Sequence, residues 1–209
     1  MQLEAKNITF QYTPKGPLIL NDVSFHMESG ERVGIVGPSG YGKSTLARIL
    51  AGYETPEKGQ VLLDNVPLST KGYCPVQLIY QHPELAVNPR WKMKKILTEC
   101  WNPDQELLKK MGIEESWMNR WPSELSGGEL QRFCIARALS SETKILICDE
   151  ITTMLDVITQ AQIWNVLLEI ADARKLGMVI ITHNKSLAEQ VCTRIISLPE
   201  LNHIEQQDV

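Results

Sequence analysis

Nine consecutive residues, Gly37-Pro-Ser-Gly-Tyr-Gly-Lys-Ser-Thr, form the densest chemical motif in the chain. They fit the pattern G-x-x-x-x-G-K-[ST], with Lys43 and Ser44 in the last two places. Gly37, Gly40 and Gly42 let a backbone curl until several N–H groups point inward, which is how a peptide cradles phosphate. A helix beginning at Lys43 turns its positive end toward the same anion. Lys43 supplies a mobile point charge for β- and γ-phosphates, and the Ser44 hydroxyl is a small hard ligand suited to Mg2+. Ser39 and Thr45 complete the group assigned to a nucleotide, ATP. The glycine order G-x-x-G-x-G reverses the dinucleotide fingerprint, so a Rossmann site is excluded.

A second group lies far along the chain. Ile145-Leu-Ile-Cys is an apolar run that ends on two acids, Asp149 and Glu150. A strand buried in a parallel sheet delivers both acids at its C-terminal edge, where open α/β folds bind ligands. Asp149 suits the shell of Mg2+, and Glu150 suits polarisation of an attacking water.

The third group is Leu125-Ser-Gly-Gly-Glu-Leu-Gln-Arg132. Ser126, Gly127 and Gly128 open a helix, which makes a second anion site of the helix-terminus type. This run resembles the signature motif of ABC ATPases. The resemblance implies that the signature of one subunit closes over ATP held by another, in a head-to-tail dimer with two ATPs at its interface. Further marks follow in the family's order. Tyr12 resembles the aromatic that stacks on adenine. Gln81, in Ile-Tyr-Gln-His, resembles the glutamine that reaches Mg2+ and links to the transmembrane partner. Asp156, in Thr-Met-Leu-Asp, resembles the aspartate of a loop that crosses the dimer. His183, in Ile-Thr-His-Asn, resembles the histidine that contacts the γ-phosphate. Glu150, His183 and Lys43 are therefore the expected catalytic set, and Ser44, Gln81 and Asp149 the expected metal set. Two departures stand out: Ile151 replaces the family's usual proline, and Thr153-Met154 replaces its usual Ser-Ala. The bulk of Met154 bears on the geometry of the closed dimer.

Leu155-Asp-Val-Ile-Thr-Gln-Ala-Gln resembles the LDV-x-x-QAQ run of the oligopeptide, dipeptide and nickel importer ATPases, and Asn88-Pro-Arg resembles a stretch of the same branch. That branch carries an extension after its last strand, whereas Pro199–Val209 alone follow Leu198 here. The resemblance implies transmembrane permease subunits, a second ATPase subunit and a solute-binding protein as partners. It places the chain peripherally on the cytoplasmic face of the cell membrane. Residues His82–Trp91 are the expected dock for the membrane partner. Leu85 and Trp91 are either exposed anchors there or part of a packed lobe. A soluble non-transport ABC ATPase is the rival reading, and it predicts a second ATPase domain or a long coiled-coil insertion. A regulatory cassette that binds ATP but barely hydrolyses it is a third, supported by the altered Thr153-Met154.

The elements that must carry these groups are legible from periodicity. Ile8 and Phe10, then Val23 and Phe25, alternate with polar neighbours as strands do. Strands are expected over Arg32–Val36, Gln60–Leu63, Lys144–Cys148, Met178–Thr182 and Arg194–Leu198. Helices are expected over Lys43–Ala51, Asp104–Met111, Leu130–Leu139, Thr159–Lys175 and Lys185–Val191. Alternating strands and helices imply an α/β fold with a mainly parallel sheet, buried on both faces. From Pro83 to Ser140 the character changes to prolines, amphipathic runs and four of the five tryptophans. The resulting expectation is a P-loop NTPase with a RecA-like core over 1–82 and 141–209. An N-terminal antiparallel β subdomain and an inserted helical subdomain over about 83–140 complete it.

Composition agrees. The chain has 209 residues, 43% hydrophobic and 22% charged, which suits one globular domain with a real core. A net charge of −4 argues against a nucleic-acid partner. Five scattered cysteines without a C-x-x-C pair argue against zinc and for reduced, mostly buried thiols. The start lacks the layout of a secretory signal, and no apolar run reaches the ~18 residues of a membrane span.

Overall fold

The computed structural model describes residues 1–69, 71–153 and 155–204. Two sheets carry the fold. The first is antiparallel and joins β1 (Gln2–Phe10), β2 (Leu20–Glu28), β4 (Lys58–Leu63) and β5 (Val66–Pro67) in the order β2-β1-β4-β5. The second is parallel. It sets β3 (Arg32–Val36), β6 (Val76–Ile79), β7 (Ile145–Asp149), β8 (Gly177–Ile181) and β9 (Arg194–Ser197) in the order β6-β7-β8-β3-β9.

The parallel sheet is buried because both faces are covered. All five residues of β7 and of β8 are buried. Period-two alternation then sends each strand's residues to two different cores. Ile145, Ile147, Val179 and Ile181 pack with the antiparallel sheet and α1 (Lys43–Leu50). Leu146, Cys148, Met178 and Ile180 pack with α5 (Val157–Arg174) and the helical segments between β6 and β7. Those segments are α2 (Met93–Leu97), α3 (Gln105–Lys110), α4 (Gly127–Ala138) and three short 3-10 turns. The chain closes with α6 (Lys185–Val191) and α7 (Leu198–Leu201).

Most element ends move by one to three residues from expectation, for local reasons. α4 starts at Gly127 because Ser126 and Glu129 form a reciprocal capping box. α5 starts at Val157 because the Asp156 carboxylate caps it, and it stops where Lys175 turns left-handed at φ 51°. Four of the described strands and α-helices were not expected: β5, β6, α2 and α7. All are short and lack a full period of apolar residues. Trp117 and Trp164 are buried, Trp91 and Trp101 are half-buried, and Trp121 is exposed. Cys134 and Cys148 are buried, Cys74 and Cys192 half-buried, and Cys100 exposed, so burial of the thiols is only partial. Among the described residues no helix is long and apolar enough to cross a membrane.

Candidate functional site

The phosphate-binding loop links β3 to α1. Gly40 and Gly42 sit at φ 84° and 90°, the left-handed region that glycine enters without steric cost. At Gly42 a Cβ would also lie 2.9 Å from the Ile19 carbonyl oxygen, so a side chain is excluded twice over. No side chain caps α1, which leaves its first amides directed at the loop's concavity. Lys43 is only 7% exposed, and its ammonium donates to the carbonyls of Gly37 and Pro38 at 2.8 and 2.7 Å. Two of its three protons are thus used to aim the third. Tyr12 stands beside this loop, its hydroxyl 3.0 Å from Thr45 Oγ1 and its ring edge-on to Phe10 with centroids 4.9 Å apart. The ring itself is exposed.

The acidic edge is built by three neighbouring parallel strands. β7 ends on Asp149, which is 6% exposed and whose Oδ1 has no hydrogen-bond partner. Burial pushes its carboxyl above the usual carboxylate range. The Ser44 hydroxyl opposes that shift by hydrogen bonding, the Glu150 charge adds to it, and Arg48 and Lys43 oppose it. A buried anionic oxygen without a donor, next to a serine hydroxyl, is the donor set of a hard divalent cation.

Glu150 follows in left-handed backbone at φ 49°, a conformation that costs energy in a non-glycine residue. Its amide donates to the Ile181 carbonyl at 3.0 Å, which ties the turn to the end of β8. Its carboxylate is held from both sides. Gln81 Nε2, two residues beyond β6, donates to Oε2 at 3.3 Å, and His183 Nδ1, two residues beyond β8, lies 3.2 Å from Oε1. The strand order β6-β7-β8 makes this meeting possible, because it places Gln81 and His183 on either side of Glu150.

The signature residues form a separate cluster. Ser126 Oγ accepts from the Glu129 amide at 3.2 Å, and Glu129 Oε2 accepts from the Ser126 amide at 2.7 Å. Ser126 and Gly127 are exposed. At Gly128 a Cβ would come within 2.7 Å of Leu155 Cδ2, so the signature helix packs closely on the aspartate loop. Arg132 reinforces the joint, donating to the Met111 carbonyl at 2.6 Å and to Thr159 Oγ1 at 3.4 Å. Asp156 accepts from the Thr159 amide at 3.0 Å, and that backbone hydrogen bond holds its carboxyl below the usual range. Val157 and Ile158 beside it are large apolar residues left in solvent, at 81% and 74% exposed. Among the described residues, no hydrogen bond or ion pair joins Ser126, Gly127, Gly128 or Asp156 to the phosphate loop.

Sequence reasoning did not single out three residues that shape these sites. Gln160, the first glutamine of the Gln-Ala-Gln run, donates to the Thr152 and Leu155 carbonyls at 2.8 and 3.1 Å and so pins the aspartate loop. The Thr152 hydroxyl accepts from Trp164 Nε1 at 3.3 Å inside the core. Asn202 binds the loop next to the phosphate site. Ile151, at the family's proline position, is buried in the core. Met154 lies outside the described residues. In the segment after Gln81, Leu85 is 75% exposed. Trp91 instead packs against the helical core with Lys95 Nζ 3.9 Å from its ring centroid.

Known proteins share this fold. The family model described as ABC transporter matches residues 20–153. The nickel import system ATP-binding protein NikE of Staphylococcus aureus (strain N315) is 36% identical over 95% of this chain and 87% of its own length. The nickel import ATP-binding protein NikE of Escherichia coli O6:K15:H31 is 35% identical over 91% of this chain and 78% of its own. A solved dimeric ATP-binding cassette in a post-hydrolysis state, bound to ADP and Pi, superposes with a TM-score of 0.80 at 28% identity, covering 93% of both chains. The cbiO1 protein of Clostridium perfringens, part of the transporter complex cbiONQ, gives 0.73 at 25% identity over 93% of this chain and 83% of that one. By this family match and these relatives, the chain belongs to the ABC transporter family as one of its ATPase cassettes.

Proposed function

We propose that this cassette hydrolyses ATP as one half of a dimer and drives nickel import through membrane permease subunits. The observation that carries the hydrolytic part is Glu150, fixed between Gln81 and His183 beside the phosphate loop. The loop amides and Lys43 hold the triphosphate, and Tyr12 forms the wall for the base. Gly37, Ser39, Gly40, Gly42, Ser44 and Thr45 complete the cradle. Glu150 accepts a proton from a water aligned with the γ-phosphorus. The water oxygen bonds to phosphorus as the bond to the β-γ bridging oxygen breaks, and ADP carries away that electron pair. His183 and Gln81 position Glu150, and His183 takes the role of contact to the γ-phosphate. Positioning and charge stabilisation supply most of the rate in such transfers.

Mg2+ fits the site. The orphaned Asp149 oxygen, the Ser44 hydroxyl and Gln81 would hold it, and it would neutralise phosphate charge. The signature cluster, with Ser126, Gly127, Gly128 and Asp156, serves the ATP of the neighbouring cassette. Its exposure and its separation from the chain's own phosphate loop support that reading, as do the solvent-facing Val157 and Ile158. Residues 83–140 act as the lobe that carries the signature, on a core of 1–82 and 141–209. Leu85 is the anchor for a permease subunit, which holds the chain on the cytoplasmic face of the membrane, and a solute-binding protein completes the system. The two NikE relatives favour nickel over peptide as cargo. Deleting the gene in its native cell should abolish uptake of radiolabelled nickel and leave dipeptide uptake unchanged. The reverse pattern refutes the nickel assignment.

A further inference from the structure

Asn202, just beyond α7, is buried, and its side-chain amide is spent on Ile19 and Asn21, where the chain enters β2. Its Oδ1 accepts from the Asn21 amide at 2.8 Å, and its Nδ2 donates to the Ile19 carbonyl at 3.0 Å. The contact is returned. Asn21 Nδ2 donates to the His203 carbonyl at 2.7 Å, and the His203 amide donates to the Asn21 carbonyl at 3.2 Å. Two short segments far apart in sequence are therefore stitched together by four hydrogen bonds at one point.

The point is not arbitrary. The Ile19 amide donates to the Phe10 carbonyl at 2.9 Å and so closes the loop that bears Tyr12. The Ile19 carbonyl, the acceptor for Asn202, is the oxygen that a Cβ on Gly42 of the phosphate loop would meet at 2.9 Å. On its other side the same segment touches the start of that loop: a Cβ on Gly37 would lie 3.0 Å from Pro199 Cδ. Leu18, Gly40, Tyr41 and Ile204 join Ile19, Pro199 and Asn202 around a cleft of about 220 Å3. The segment after β9 thus contacts the phosphate cradle and the root of the Tyr12 loop at once.

We propose that Asn202 is a positioning residue for the nucleotide: it sets the Tyr12 loop at a fixed distance from the phosphate loop. The proposal rests on Tyr12 being the wall for the base. A nucleotide spans both subsites, so its affinity depends on their separation as well as on each contact. A wall displaced by a fraction of an ångström loses the base and keeps the triphosphate. Removing the Asn202 amide leaves the Asn21 amide and the Ile19 carbonyl without partners in a partly buried position, which favours such a displacement.

The test compares ATP with magnesium tripolyphosphate, which has no base, by titration calorimetry and steady-state hydrolysis on the purified full chain. Asn202→Ala should raise Kd and KM for ATP roughly tenfold, the worth of about one net buried hydrogen bond. Tripolyphosphate affinity and kcat at saturating ATP should stay within about twofold, as expected when only ground-state base contact is lost. Asn202→Asp keeps the acceptor for Asn21 but sets a carboxylate oxygen against the Ile19 carbonyl, so its Kd for ATP should rise at least as far as that of Asn202→Ala. It carries the test if the alanine variant does not fold. Tyr12→Ala is the reference. If Tyr12→Ala weakens ATP and neither Asn202 variant does, the positioning role is overturned. If the Asn202 variants weaken ATP and tripolyphosphate equally, the segment acts on the phosphate loop alone and the proposal is again overturned. If Tyr12→Ala leaves ATP affinity unchanged, the base-wall reading fails and the proposal falls with it.

Discussion

Asp149→Asn should stabilise the free protein while destroying its response to Mg2+ and ATP. The reasoning starts from burial. Asp149 ends a strand whose residues are all buried, and one carboxylate oxygen has no donor. Burial raises its folded-state pKa above the ordinary value of about 3.9. A carboxyl whose pKa is raised on folding opposes folding once it ionises. The penalty is absent below the unfolded value, grows as pH rises, and is complete above the folded value. The ionised form alone carries it. Asparagine keeps the shape, removes the charge and can still accept from Ser44, though one amide atom stays unpartnered. The net gain is therefore about 1 kcal/mol, below the ~1–3 kcal/mol of a fully relieved buried polar group. For a chain of this size that is a rise of roughly 2–4 °C in Tm. Thermal unfolding in chelator at pH 7 measures it, and the gap between the two proteins should close as pH falls below the usual carboxylate range. In the same instrument, saturating ATP with Mg2+ should stabilise the wild type by roughly 2.7 kcal/mol at a hundredfold excess over Kd and the variant by far less. A variant less stable than wild type in chelator, with the same deficit at acid pH, would refute the burial argument.

Glu150→Gln should cut kcat by about 10²–10⁴, the usual contribution of a positioned base, while ATP binding survives and a dimer accumulates on size exclusion; wild-type turnover would remove Glu150 as the base. Lys43→Ala should lose ATP-dependent thermal stabilisation, since it removes both the charge and the two bonds that shape the loop at Gly37 and Pro38. Leu85→Asp should abolish stimulation of hydrolysis by the permease subunits in reconstituted vesicles and spare basal hydrolysis. Retained stimulation would move the dock elsewhere.

The motifs legible in the sequence are those whose geometry is made within a few residues. The phosphate loop and the helix opened by Ser126 both follow from short-range backbone chemistry, whereas the Asp156 cap showed only in the structure. The apolar runs of β7 and β8 likewise announce a strand covered on both faces. Strand order is not local. Nothing in Val76–Ile79 marks it as the neighbour of β7, yet that pairing brings Gln81 to Glu150, and the β7–β8 pairing brings His183 to its other side. The left-handed turn at Glu150 is likewise held from β8, by the Ile181 carbonyl. Asn202 reaches Asn21 across 181 positions, with no motif at either end. The sequence by itself determined that this protein grips a triphosphate and presents two acids and a signature helix. Only the tertiary structure decided which side chains meet Glu150 and what braces the Tyr12 loop. Burial of two apolar faces selects the strand order, and hydrogen bonds between distant segments then form wherever that order leaves buried polar groups to satisfy.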